Sequence, residues 1–539
     1  MTTPRNMSEL AIVFRELLES EPEAKLFFWR ESGREFLLTR GELKNAIVTL
    51  SDELMDSGYK PGDRVALLSE SRPEWCIALM ACFAAGLTVV PIDTKLTPIE
   101  VARLLEHSEP VHLFISKDCL NHVGTSPLPT TVLNGLTELG KKTAVRRHPV
   151  IPSSFDSLAI LAYTSGTAGA PKGVMLTYGN LWFETQSLSK TFQSRRSDVL
   201  LSVLPLNHLL ELSGGLLAAM FIRAKIVFAN TLLPTEILDL MKAHKVTQMI
   251  IVPQFLDHFY REIQRQLSKK SKAVQVAFKC LLVISSWIPW FSWRRKLFPL
   301  IHKQFGGSLR KFIIGGAALR PEVGHFFQSL GIHILQGYGL TETSPVVSVN
   351  EPGRNRIGSV GRALEDVQVK ILGDGEIAVK GPNVMKGYYK NEAATKEVLD
   401  ADGWFHTGDI GILDSNNFLW ITGRKKNLIV LSGGKKVAPE EVEEWLKTSS
   451  KFAEVCVTGM IAQSGLSSGT EQVVAIIRPH ESSHSLEEIQ EEATRLISQA
   501  AGHKRPARYL LYEKEFPKTT TLKVKRLELL QLLRKEGRI

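Results

Sequence analysis

The chain has 539 residues, 44% of them hydrophobic, and its 66 lysines and arginines exceed its 56 aspartates and glutamates, for a net charge of +10. That length and apolar content suffice for at least two packed domains, and the basic balance suits an anionic membrane surface or anionic substrates, since no basic-aromatic nucleic-acid motif is present and no nucleic-acid partner is expected. Cys76, Cys82, Cys119, Cys280 and Cys456 are scattered, odd in number and without Cys-x-x-Cys spacing, which argues against a disulfide framework or zinc site and for reduced, mostly buried thiols in a cytoplasmic protein.

Residues Met1 to Glu23 are polar and acidic without an apolar signal core, so export is not expected. Thr39 and Glu42 have capping-box spacing, and Leu43, Ile47, Leu50 and Leu54 recur at helical period, which predicts a helix to about Asp56. A strand over Val65 to Leu68, a helix from Pro73 to Ala85 stopped by Gly86, and a strand over Thr88 to Ile92 follow. Thr97-Pro98-Ile99-Glu100 repeats the helix-start signal before a strand at Val111 to Ile115. Strands alternating with helices predict parallel β-α-β units. From about Asn121 to Ser157 the periodicity fades, as in a surface connection.

Next comes Tyr163-Thr164-Ser165-Gly166-Thr167-Ala168-Gly169-Ala170-Pro171-Lys172-Gly173, a short loop holding glycines, hydroxyls and one lysine. Glycines let backbone N–H groups approach an anion, and hydroxyls and a lysine add donors and charge, so the composition suits a polyphosphate. It also suits a flexible turn. Walker A chemistry is excluded, because Lys172 is followed by Gly173 and Val174-Met175-Leu176 reads as a second strand, making the loop a hairpin tip.

The alternation resumes with buried strands at Val199 to Leu204, Ile226 to Phe228, Met249 to Val252, Phe312 to Ile314 and Ile332 to Leu335. His208, Gly315-Gly316 and Gln336 to Thr343 fall just after such runs, where open α/β sheets bind ligands. Structure becomes β-rich from Gly358 to about Trp420, with turns at Gly373-Asp374-Gly375 and Asp402-Gly403, and beyond Gly423 a smaller α+β piece begins. Its helices are expected from about Pro439 and from Leu486 to Gln499, and its strands near Val455, Val473 and Tyr509. A boundary at Arg424 to Lys426 gives domains of 1–423 and 424–539.

One stretch breaks the order. Cys280 to Trp293 is apolar and holds Trp287, Trp290, Phe291 and Trp293, with Lys269, Lys270 and Lys272 before it and Arg294-Arg295-Lys296 after it. A bilayer span takes about 20 apolar residues, and Pro289 interrupts this one. Aromatics flanked by cations suit peripheral contact with the inner face of a membrane, and the stretch also suits a tryptophan-rich helix pair covering the sheet or walling an apolar pocket.

Five separated motifs occur in order: the loop above; Leu204-Pro205-Leu206-Asn207-His208; Gln336-Gly337-Tyr338-Gly339-Leu340-Thr341-Glu342-Thr343; Trp404-Phe405-His406-Thr407-Gly408-Asp409; and Gly423-Arg424-Lys425-Lys426 leading to Ser432-Gly433-Gly434, with Pro517 to Lys523 near the end. Together they resemble the acyl-adenylate-forming superfamily over nearly the whole chain. Ile314 to Leu319 and the Thr521-Leu522-Lys523-Val524-Lys525-Arg526 ending are most similar to long-chain fatty acyl-CoA synthetases.

The resemblance implies a large N-terminal domain of α/β sheets with a β-rich subdomain, and a small mobile α+β C-terminal domain. It implies an AMP-forming acid-thiol ligase that uses ATP, Mg2+ and a long-chain fatty acid and passes the acyl group to CoA, or alternatively to acyl carrier protein or onward to lysophospholipid. A non-catalytic nucleotide-binding or acyl-binding protein is the reading from a different class. By the same resemblance Thr164, Ser165, Gly166, Thr167, Gly169 and Lys172 would wrap the β- and γ-phosphates. Gly315, Gly316 and Ala317 would line the adenine and acyl slot, and Tyr338 would stack on the base amid Gln336, Gly337 and Gly339. Thr341 would hold the α-phosphate and Glu342 the metal. Asp409 would accept from the ribose hydroxyls with Arg424 beside it, Lys523 would neutralise the adenylation transition state, and His208 would stand at the carboxylate end of the acyl pocket. Lys426 would be the hinge that turns Gly433 and Gly434 toward the pantetheine arm. Two departures stand out: Ala168 removes a hydroxyl from the loop, and Leu522 replaces the usual glycine before the lysine.

Two other signatures fail. Gly465-Leu466-Ser467-Ser468-Gly469 leads into a strand, where a nucleophile elbow requires a helix. No histidine has an aspartate five positions later, so the His-x4-Asp acyltransferase pattern is missing.

Overall fold

The computed structural model describes residues 20–31, 33–124, 128–144, 147, 154–164, 172–229, 231–431, 435–449, 451–461, 471–480, 485–498, 500–518 and 524–539. The chain divides into two compact units, Met1–Gln368 with Val379–Phe405, and Val369–Ala378 with His406–Ile539.

The first unit contains two sheets. The seven-stranded one runs in the order Gly387–Tyr388, Lys172–Thr177, Leu158–Thr164, Thr88–Ile92, Arg64–Leu68, His112–Ile115, Thr130–Val132. Its centre is parallel, as the alternating pattern requires, and only the Lys172–Thr177 strand and its neighbours pair antiparallel. Every residue of Thr88–Ile92 is buried, which explains its continuous apolar run. Helices Arg40–Asp56 and Pro98–Ser108 start at complete capping boxes on Thr39 and Thr97. Pro73–Ala84 ends as Gly86 turns left-handed at φ +70°, with its N–H on the Phe83 carbonyl at 3.2 Å and that of Leu87 on Cys82 at 2.9 Å. The weakly periodic stretch after Asn121 is not wholly connection, because Thr130–Val132 adds an edge strand.

The nine-stranded sheet runs Arg362–Ala363, Ser348–Val349, His333–Tyr338, Lys311–Ile314, Gln248–Ile251, Val199–Ser202, Lys225–Phe228, Lys25–Glu31, Arg34–Thr39. The five strands expected from apolar runs are all in it, parallel and adjacent. Phe259, Phe305, Phe312 and Phe327 fill the space between its face and the covering helices. Beyond them lie helices Lys272–Trp287 and Phe291–Leu297, so the tryptophan-rich stretch is helical and packs over the sheet, yet Trp287, Trp290 and Trp293 are exposed. Among the described residues no helix is long and apolar enough to cross a membrane.

In the second unit, strands Gln368–Ile371, Glu376–Lys380, Phe405–Leu413 and Leu419–Arg424 form a four-stranded sheet. The three-stranded sheet Phe452–Ile461, Glu471–Pro479, Arg508–Leu511 carries helices Pro439–Leu446 and Leu486–Leu496 over a core of Val442, Leu446, Val457, Ala475 and Ile489. A last helix, Arg526–Lys535, buries Leu529 and Leu533. Cys76, Cys82, Cys119 and Cys456 are buried core residues and Cys280 is exposed.

Candidate functional site

In the first unit the motif residues collect at the carboxyl ends of neighbouring parallel strands. His208 follows Val199–Ser202, Gly315 to Ala317 follow Lys311–Ile314, and Thr341–Thr343 form a short turn after His333–Tyr338. Close approach explains Gly339, where a Cβ would lie 1.8 Å from the Pro345 carbonyl oxygen, whereas at Gly315 it would meet only the movable end of the Leu210 side chain, at 2.7 Å. Gly316 has φ +86°, a backbone that favours glycine. The Gln336 side chain is buried, and its Oε1 has no partner among the described residues.

Two buried helices hold the Thr341 turn from behind. Ser213 Oγ donates to the Ser344 carbonyl at 3.2 Å, and Val346 N–H donates to Glu184 at 3.2 Å. Burial holds the Glu184 carboxyl well above the usual carboxylate range, and the Val346 N–H partly offsets this. Glu211, one helical turn after His208, is fully buried with neither carboxyl oxygen partnered among the described residues. Its helix, Glu211–Leu217, has π geometry, and Gly215 leaves the carboxyl its space, since a Cβ there would come 2.7 Å from it. Burial pushes its pKa up to about 8 from an ordinary 4.5, so the group is protonated in the folded protein at neutral pH. The folded state binds this proton more tightly than the unfolded chain, so the contribution of Glu211 to stability is fully present below pH 4.5 and is lost as pH rises to about 8. Glu211→Gln is expected to remove a slope of up to about 1.4 kcal/mol per pH unit, read as denaturation midpoints across that window. Parallel curves for variant and wild type would refute it.

The seven-stranded sheet supplies the other wall. Thr164 and Lys172 are register partners at the ends of the Leu158–Thr164 and Lys172–Thr177 hairpin, as the hairpin-tip reading requires. Lys172 Nζ lies 4.7 Å from the centre of the Tyr388 ring. The Tyr388 hydroxyl donates to Glu342 Oε1 at 2.9 Å, and the Met385 N–H donates to the Glu342 carbonyl at 2.9 Å. Burial, then the Glu342 charge, raises the Tyr388 pKa, keeping its phenol a donor. One aromatic side chain therefore links the loop lysine to the turn carboxylate. Nothing in the composition of Gly387–Tyr388 marked it, because its position depends on pairing with Lys172–Thr177 more than 200 residues earlier.

Glu342 Oε2 takes no hydrogen bond among the described residues, which leaves a hard anionic oxygen for a cation. No cluster of three His, Cys, Asp or Glu side chains occurs among those residues. One carboxylate completed by phosphate oxygens is a set that Mg2+ accepts, so the residues present fit that ion.

In the second unit Asp409 is 3% exposed, and Arg424 Nε donates to its Oδ1 at 2.6 Å, the two being register partners on adjacent strands. The Asp409 N–H donates to Thr407 Oγ1 at 3.1 Å, and Gly408, at φ +70°, donates its N–H to Glu376 at 2.9 Å. Lys426 lies in the short Lys425–Asn427 turn after these strands. Ser165, Gly166, Thr167, Ala168, Gly169, Gly433, Gly434, Lys523 and the Gly465 to Gly469 decoy lie outside the described residues. Nearby, Lys518 and Val524 pair as a bridge, and Arg526 forms ion pairs with Glu440 at 2.8 Å and Glu443 at 2.5 Å.

The family model described as AMP-binding enzyme matches residues 14–389. The long-chain-fatty-acid CoA ligase FadD15 of Mycobacterium bovis is 32% identical over 457 residues, which cover 78% of this chain and 75% of that one. Long-chain-fatty-acid CoA ligase 6 of Mus musculus is 32% identical over 455 residues, 73% of this chain and 63% of that one. Among solved structures, the ATP-bound RpMatB-BxBclM chimera B1 superposes with a TM-score of 0.80 at 26% identity, covering 98% and 99% of the two chains. The o-succinylbenzoate CoA synthetase of Bacillus subtilis, in complex with its acyl-adenylate intermediate, does so at 0.77 and 26%, covering 96% and 97%.

Proposed function

The chain belongs to the AMP-binding enzyme family, and from that membership we propose that it activates a long-chain fatty acid with ATP and transfers it to CoA. A carboxylate does not acylate a thiol directly, because oxide is a poor leaving group. Attack of the carboxylate oxygen on the α-phosphorus forms an acyl-adenylate and breaks the bond to pyrophosphate. The thiol sulfur then attacks the acyl carbon, and AMP leaves. The first step brings like charges together, so the protein must supply cations and fixed donors.

The observation that carries this reading is the link from Lys172 through Tyr388 to Glu342, which joins a cation at the glycine-loop hairpin to a carboxylate fit for a divalent ion. Relatives named as long-chain-fatty-acid CoA ligases support the acyl class and the acceptor. In the proposal Thr164 and Lys172 hold the loop on the β- and γ-phosphates, Tyr338 stacks on adenine, and Thr341 donates to the α-phosphate. Gly315 to Ala317 let nucleotide and acyl carbonyl approach backbone, and His208 stands at the carboxylate. Glu342 holds Mg2+, which when bound offsets phosphate charge. Asp409 accepts from the ribose with Arg424 setting its orientation. Lys523 neutralises the reacting carboxylate and phosphate, and a hinge at Lys426 exchanges it for Gly433 and Gly434 before the thiol arrives. Trp287, Trp290 and Trp293 meet the membrane from which the fatty acid is drawn.

The test is fatty-acid-dependent exchange of labelled pyrophosphate into ATP, followed by CoA or acyl carrier protein as separate acceptors. Exchange with discharge by CoA is the expected result; absence of exchange at every chain length would end the proposal. Tyr388→Phe keeps the ring beneath Lys172 and removes the hydroxyl that orients Glu342. A supporting residue of this kind is expected to cost about tenfold in exchange rate and to raise the Mg2+ concentration for half-maximal rate. An unchanged Mg2+ titration would deny Tyr388 that part.

A further inference from the structure

Of the twenty large apolar side chains exposed among the described residues, eight lie between Val274 and Leu300. On helix Lys272–Trp287 the residues Val276, Val283, Ile284 and Trp287 recur along one face and are 55–84% exposed. The opposite face, with Phe278, Leu281 and Leu282, packs on the core of the nine-stranded sheet, and Ser285 Oγ donates to the Ser329 carbonyl at 2.5 Å. The next helix, Phe291–Leu297, is fixed equally well. Phe291 stacks on His333 at 3.8 Å, and Arg294 donates to the carbonyls of Ile288 at 2.6 Å and Gln328 at 3.0 Å. Trp290 and Trp293 are thereby held outward, 66% and 59% exposed. An outward apolar face of this extent, built on anchored helices, marks a surface made to be covered.

Charge identifies the cover. Residues 263–309 carry nine lysines and arginines and no aspartate or glutamate. Against this face lies an open cleft of about 750 Å3, lined by Lys242, Arg295, Lys296, His302, Lys303 and the Gly306–Gly307 backbone. Arg295 fixes one wall by donating to the Gly307 carbonyl at 2.9 Å, and Lys296 Nζ lies 4.7 Å over the Trp293 ring. Lys242 pairs with Asp239 at 3.5 Å, whereas no carboxylate among the described residues pairs with Arg295, Lys296 or Lys303. His302 is 6% exposed; its Nε2 donates to the Leu330 carbonyl at 2.7 Å, which makes Nδ1 an acceptor, and Nδ1 has no partner among the described residues. A nucleic acid would meet these cations across a surface of indole and valine, which it does not cover. Indoles beside cations of one sign, with a cationic cleft next to them, match an anionic phosphate headgroup above an acyl phase.

We propose that this face docks on an anionic phospholipid bilayer, with Trp287, Trp290 and Trp293 at headgroup depth and one anionic phosphate headgroup seated in the cleft beside Lys296 and Lys303. The inference rests on the membrane contact proposed above and adds a headgroup site to it.

The experiment is co-sedimentation of the full chain with vesicles of phosphatidylcholine alone and with one-quarter phosphatidylglycerol, following tryptophan emission in parallel. Partitioning onto the anionic vesicles is expected to be at least about tenfold stronger, with a blue-shifted emission and weakening in high salt. Lys296→Glu with Lys303→Glu is expected to abolish the preference for phosphatidylglycerol, and Trp287→Ala with Trp290→Ala and Trp293→Ala to abolish binding to both. All five side chains are exposed, so unchanged thermal midpoints serve as the folding control. Equal, tryptophan-dependent binding to both vesicles would overturn the headgroup site and leave the membrane contact standing. Binding to neither, or binding that none of these variants alters, would overturn both.

Discussion

Glu342→Gln is expected to lower pyrophosphate exchange about 10²–10³-fold, the range for losing one preorganised electrostatic group, or about 2.7–4 kcal/mol. The amide keeps the shape of the side chain and can still accept the 2.9 Å hydrogen bond from Tyr388. The turn around it is held by the Met385 N–H on the Glu342 carbonyl and by Thr343, which accepts the Leu340 N–H at 2.9 Å. What is lost is the negative charge that a hard cation requires. The rate should recover in part at raised Mg2+ concentration, while the thermal midpoint stays that of the wild type. An exchange rate within threefold of wild type would remove Glu342 from the site, and with it the reading of the Lys172 to Glu342 link.

Lys523→Ala should be at least as damaging to the first half-reaction and nearly silent in the second. Loss of exchange on the order of 10²–10³-fold is expected if its charge meets the carboxylate and α-phosphate as they react. Thioester formation from a synthetic acyl-adenylate and CoA should stay within a few fold, because no carboxylate then remains to be neutralised. Lys518 pairs with Glu454 at 2.6 Å and Glu515 at 2.8 Å, and Arg526 pairs with Glu440 and Glu443, and alanine at 523 removes none of these partners. Equal loss in both half-reactions would mean a structural part, and the hinge proposed at Lys426 would lose its purpose.

Local signals in the chain were strong wherever the physics is local. The capping boxes at Thr39 and Thr97, the Gly86 stop after Ala84 and the continuous apolar runs of the parallel strands each depend on a few neighbouring residues, and each stands in the fold. The hairpin form of the glycine loop was legible for the same reason, since an apolar strand lies on each side of it. Order along the chain also sufficed to point to the family, because several separated motifs in one order are far more specific than any one of them.

The sequence by itself therefore determined the apolar strands at the centre of the two large sheets, the caps at Thr39 and Thr97, and the inventory of charged and glycine residues. Tertiary structure alone decided that Tyr388 stands between Lys172 and Glu342, that Glu211 is sealed away with its proton, and that the tryptophans of 287–293 face outward instead of closing a core. The physical reason is common to all three. Partner and burial depend on strands and helices far apart in the chain, and a period of two or 3.6 residues states which face is apolar without stating what will lie against it.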